Sequence, residues 1–94
     1  MAHFTPDGWH TVTPRIVVEG ARDCVAFIKR AFGATGDYRA EAPAVLTLGD
    51  SIVMVSDVGA RGASTAFLYL YVADADETFR RAVTAGAQIG RAHV

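Results

Sequence analysis

The chain has 94 residues, of which 51% are hydrophobic and 20% charged, enough for one small domain at the lower end of what builds its own core and too apolar for a disordered chain. A formal net charge of −1 with scattered Lys and Arg supplies no basic stripe for nucleic acid. The longest apolar runs, such as Ala66–Ala73, are far too short to span a bilayer, and the mixed opening MAHFTPDGWH is no signal segment, so no membrane partner is expected.

Residues Met1–Thr11 read as a lead-in arm, with turn chemistry at Pro6-Asp7-Gly8 and Trp9 placed to cover apolar surface. Thr13–Val18 follows as a strand that Pro14 confines to a start or an edge. Alternation puts Thr13, Arg15 and Val17 on one face and Pro14, Ile16 and Val18 on the other.

Ala21–Phe32 has the spacing of an amphipathic helix. Cys24, Val25, Ile28, Ala31 and Phe32 form one apolar stripe, while Arg22, Asp23, Lys29 and Arg30 take the solvent side. Gly33 closes it, with two basic residues near the negative end of the dipole.

Three short strand candidates come next. Asp37–Glu41 carries the weakest pattern, and Pro43 separates it from Ala44–Leu48. Leu48-Gly49-Asp50-Ser51 suits a two-residue type II′ hairpin turn, and Ile52–Ser56 is the β-branched return strand. Asp57–Ser64, with two glycines and no periodicity, reads as a linker.

A second strand-then-helix unit, Phe67–Ala87, then repeats the plan of Thr13–Ala34. Val18 corresponds to Val72 and Gly33 to Gly86, a period of roughly 53–54 residues, the mark of a repeated architecture. Its strand would carry Phe67, Tyr69 and Tyr71 on one face and Leu68, Leu70 and Val72 on the other. Asp74-Ala75-Asp76-Glu77 has the form of a capping box, Phe79, Ala82 and Val83 form the expected buried stripe, and Gly86 ends the helix. The first copy continues into a hairpin after its helix; the second has no counterpart of Ala44–Ser56.

The ordered blocks VV-(acid/Gly), FIKRAFGA, LGDSIVMVSD and LYLYVADADETFRRAVTAGA, spanning about Val12 to Ala87, resemble the vicinal-oxygen-chelate superfamily of glyoxalase/bleomycin-resistance/dioxygenase proteins, and within it the PhnB-like branch. The resemblance implies an α+β fold of paired βαβββ modules in one domain over 1–94. Module one falls at about 12–58, the linker at about 59–64 and an incomplete second module at about 65–94. It also implies a cavity between curved sheets.

In metal-using members of that superfamily His, Glu or Gln side chains from four strands hold the ion. Carried onto this chain, three of those positions fall near Thr13, near Met54 and at Tyr69, none of them a suitable ligand for such a site, and the fourth lies past Val94. The resemblance therefore implies a small-molecule-binding protein with no metal and no other cofactor. The alternative is a metal-dependent lyase or isomerase, thiol transferase or dioxygenase, whose divalent ion would chelate neighbouring substrate oxygens. Whether the chain is an enzyme stays open between these two.

On the family's strand alternation, Arg15, Met54, Phe67, Tyr69 and Tyr71 would line the cavity. Rings with one guanidinium suit a flat or anionic organic ligand, and they equally suit a sheet-to-sheet core or a subunit interface. His3, His10 and His93 have no ligand spacing and read as ordinary histidines. Cys24, alone and on an apolar stripe, reads as a small buried hydrophobe; a single cysteine forms no internal disulfide and leaves the cytoplasm as the default compartment. A half-built second sheet would leave edges and an apolar face open. A homodimer, with or without exchanged elements, is the expected remedy.

Overall fold

The computed structural model describes residues 4–59 and 62–88. The fold is a small α+β arrangement in which a three-stranded mixed sheet carries one helix and a second helix lies against the first. The elements are β1 (Arg15–Val18), α1 (Ala21–Phe32), β2 (Ala44–Leu48), β3 (Ser51–Asp57) and α2 (Ala75–Thr84). The sheet order is β1-β3-β2, with β1 parallel to β3 and β2 antiparallel to it. The parallel pair needs a crossover connection, and α1 begins it.

In register, Arg15 faces Met54 and Ile16 faces Val55 across the parallel pair. Leu46 faces Val53 and Ala44 faces Val55 across the antiparallel pair. The period of two then divides the sheet. Ile16, Val18, Ala44, Leu46, Leu48 and Val55 meet Ala21, Val25, Ile28 and Phe32 of α1 in the core. Arg15, Val17, Val45, Ile52, Met54 and Ser56 fall on the opposite face. Leu46 and Val55 are the largest fully buried side chains.

The local signals produce the local structures. Trp9 N–H donates to the Pro6 carbonyl across a turn whose third residue, Gly8, has φ 83°. Gly33 takes the left-handed conformation at the end of α1 and returns its N–H to the Lys29 carbonyl. Leu48 pairs with Ser51 around a two-residue turn in which Gly49 has φ 57° while Asp50 stays negative, the combination of a type II′ turn. Asp74 accepts the Glu77 N–H at 3.0 Å as the cap of α2. At the other end Gly86 N–H donates to the Val83 carbonyl and Ala87 N–H to that of Ala82, a Schellman closure.

Five expectations need correction. The strand expected at Thr13 starts at Arg15, and Asp57, expected in the linker, is the last residue of β3. Asp37–Glu41 forms no strand; nearby, Thr35 and Thr47 make a single antiparallel bridge on the outer side of β2. Phe67–Val72 pairs with no strand among the described residues, although Ser64 N–H just before it reaches the Val17 carbonyl at the edge of β1. The apolar stripe of α2 is not buried: Phe79 is 55% and Val83 43% exposed, because among the described residues the helix has α1 beside it and no sheet beneath it.

Candidate functional site

Among the described residues, three places are candidates for a site. The first joins the start of α1 to the end of β3. Gly20, at φ 74°, precedes the helix and offers no side chain to cap it. The carboxylate of Asp57 does so from a remote strand, accepting the Ala21 N–H at 3.0 Å through Oδ1. Its Oδ2 accepts the Tyr38 hydroxyl at 2.6 Å, and the Arg22 guanidinium lies 5.0 Å from the centroid of the Tyr38 ring. The Tyr38 hydrogen bond, with the Ala21 N–H behind it, holds the Asp57 carboxyl below the ordinary carboxylate range. The same bond pushes the Tyr38 phenol above its ordinary value. The cluster satisfies itself and stitches sheet, helix and loop together.

The second is the sheet face away from α1. Arg15 and Met54 are side by side in register, and Arg15 Nε donates to Ser56 Oγ at 2.7 Å, satisfying the one buried polar residue among those described, on the face away from the core. Arg15 is exposed and Met54 half-buried.

The third is a groove of about 570 Å³. Its walls come from the β2–β3 hairpin (Leu48 to Val53), Phe32 at the end of α1, the lead-in residues His10, Val12 and Pro14, the segment Leu68–Ala73, and Thr78 and Arg81 of α2. The lining is mostly apolar, with His10, Asp50, Ser51, Thr78 and Arg81 among the polar residues around it. Arg81 Nη2 donates to the Arg30 carbonyl at 3.1 Å, so the guanidinium is pinned by one arm near the C-terminal end of α1.

Of the five side chains expected to converge, the structure places Tyr69 and Tyr71 along this groove and Arg15 and Met54 on the sheet face beyond it. Phe67 stands 89% exposed, and the described residues do not bring the five to one point. Within Phe67–Val72 exposure alternates: Phe67, Tyr69 and Tyr71 are 89–99% exposed, while Leu68, Leu70 and Val72 lie near 40% and face the body of the protein. Sequence reasoning passed over Phe32 and Arg81 as site residues. Phe32 belongs to the apolar stripe of α1 and Arg81 carries no motif, and the packing of α2 on α1 puts them together.

Cys24 is half-buried against the core, and burial pushes its thiol up from the ordinary value, as suits an inert position. His10 is exposed and lines the groove; His3 and His93 lie outside the described residues. Among the described residues no three of His, Cys, Asp and Glu come together as a metal site would need, and no helix is long and apolar enough to cross a membrane. In comparisons with family models, curated proteins and solved structures, nothing matches this chain.

Proposed function

We propose that this chain is a small-molecule-binding module of the glyoxalase/bleomycin-resistance type that holds its ligand without a metal of its own. The observation that carries the reading is the groove: about 570 Å³, mostly apolar, with a few polar groups at its margin. Pockets for small organic ligands run from about 300 to 1,000 Å³ and share that division of labour. Phe32, Leu48, Val53, Leu68 and Leu70 would supply apolar contact, and the free donors of Arg81 would orient a carboxylate or similar anion.

The sheet order supports the same reading. A strand, a helix, and then a hairpin whose last strand returns beside the first is the plan of a βαβββ module, with the Thr35–Thr47 bridge standing where the module's remaining strand would lie. On this reading α2 opens a second module.

The test is titration with 8-anilinonaphthalene-1-sulfonate, a flat aromatic anion, before and after dialysis against a chelator, with metal analysis of both samples. The expected result is saturable binding of one probe per chain, unchanged by the chelator and weakened about tenfold by Arg81→Gln. Binding that disappears with a stoichiometric ion and returns when the ion is restored would replace this reading with the metal-dependent one. Binding that never saturates would remove both.

A further inference from the structure

We propose that Phe67–Val72 is a dimerisation strand that pairs antiparallel with the same segment of a second copy, about a twofold axis at Tyr69. The segment has a strand pattern, and among the described residues it joins no sheet. FLYLYV alternates rings with aliphatic residues, and β-branched and aromatic residues favour extended backbone. Among the described residues its backbone groups take part in no hydrogen bond, so a run of donors and acceptors is left for a partner.

Four observations select a second copy as that partner. The segment is symmetric about Tyr69 in the sense an antiparallel self-pair requires. Tyr69 would meet its own counterpart and Phe67 would meet the counterpart of Tyr71, so each of three positions sets ring against ring. From Gly62 to Ala73 no residue carries a charge, and nothing there repels a like chain or attracts a charged peptide. The three rings are 89–99% exposed, and at about 150–250 Å² each they offer an area on the scale of the roughly 800 Å² that one partner gives to a stable interface. Finally, Leu68, Leu70 and Val72 are turned toward the body, so the resulting ribbon would rest on the protein instead of standing alone in water, where two strands are marginal.

The pairing has a register, and the register is testable. Residues opposite one another in an antiparallel pair have Cα atoms about 4.5–5.5 Å apart, inside the range a disulfide spans. In a Cys24→Ala background, Tyr69→Cys should therefore form a disulfide-linked dimer when oxidised glutathione is added, two thiols giving up two electrons and two protons as the reagent is reduced. Phe67→Cys, whose counterpart in the second copy would lie several residues away, should not. Separately, Tyr69→Lys places two like charges on the axis and should raise the dimer dissociation constant, measured by sedimentation equilibrium, at least about 100-fold. Tyr69 is 91% exposed in the protomer, so the thermal melt extrapolated to the monomer should be unchanged.

A dimer that crosslinks at position 69 and not at 67 supports the proposal. A protein that is monomeric at high micromolar concentration overturns it, as does a dimer indifferent to Tyr69→Lys. Crosslinking at 67 in place of 69 also overturns it, since it puts the axis elsewhere. None of these readouts depends on ligand binding in the groove.

Discussion

Asp57, the last residue of β3, accepts the backbone N–H of Ala21, the first residue of α1, at 3.0 Å from 36 positions further along the chain. The cap that α1 lacks locally arrives through the sheet. Asp57→Ala should lower the melting temperature, and Asp57→Asn, which keeps an acceptor for Ala21, should lower it less. Thermal melts followed by far-ultraviolet circular dichroism would measure both.

The same carboxylate contributes to how stability responds to pH. Asp57 has its folded value below the unfolded one, so its contribution is complete above the unfolded carboxylate value, about 3.9, and is lost as pH falls through the folded value. Tyr38 is shifted the other way. Its contribution is complete below the unfolded phenol value, about 10, and is lost as pH rises through the raised one. Tyr38→Phe removes the hydroxyl from both, so melting temperatures measured across pH should flatten at the acid and the alkaline limb together. If only one limb responds, Asp57 and Tyr38 are not partners in solution.

Leu46 lies in the centre of the core and is fully buried, whereas Leu68 is 41% exposed beside the groove. Leu46→Ala should cost about 2–5 kcal/mol in urea unfolding. Leu68→Ala should cost less than about 1 kcal/mol while weakening the binding of the aromatic probe. Equal costs would mean that the core does not sit under α1.

Gly36 has φ 119°, and a Cβ there would collide with the Val45 carbonyl oxygen and lie 2.9 Å from Leu46 Cδ2. The loop after α1 passes so close to β2 that only a hydrogen fits. Gly36→Ala should destabilise by about 1–3 kcal/mol in the same urea titration. Gly20→Ala meets no neighbour and should cost only the strain of its positive φ.

Arg81 joins α2 to α1 through the Arg30 carbonyl, and α2 buries none of its residues. Arg81→Met should leave α1 and the sheet as protected from amide hydrogen exchange as before, while the amides of Thr78–Ala85 exchange faster. Loss of protection throughout would make α2 part of the cooperative core.

Elements whose cause is local could be read from the residues. The stripe of Val25, Ile28 and Phe32, the stop at Gly33, the Gly49-Asp50 turn, the Asp74 cap and the Gly86 closure depend on neighbours within a turn or two, and they formed where the residues specify. Phe67–Val72 has an equally plain strand pattern and joins no sheet among the described residues. A strand is completed by a partner, and alternation says nothing about whether one is present. Phe79 and Val83 make the same point for α2, since an apolar stripe records what a helix could bury and not what lies beneath it.

The candidate site divides along that line as well. Arg15 and Met54 pair in register on the face away from α1, while Tyr69 and Tyr71 line a groove walled by the hairpin and the helices and not a cavity between two sheets. The groove itself, with Phe32 and Arg81 in its wall, depends on how α2 leans on α1.

By itself, the sequence determined the two helices, the hairpin, the Asp74 cap, the glycine stops at Gly33 and Gly86 and the faces of β1, because 3.6- and 2-residue periods and glycine conformations act over a few residues. Only the tertiary structure decided that Asp57 caps α1, that Gly36 must be glycine, that α2 rests on a helix, and that six strand-forming residues join no sheet among the described residues. Each of those depends on the approach of segments far apart in the chain, which a local pattern does not encode.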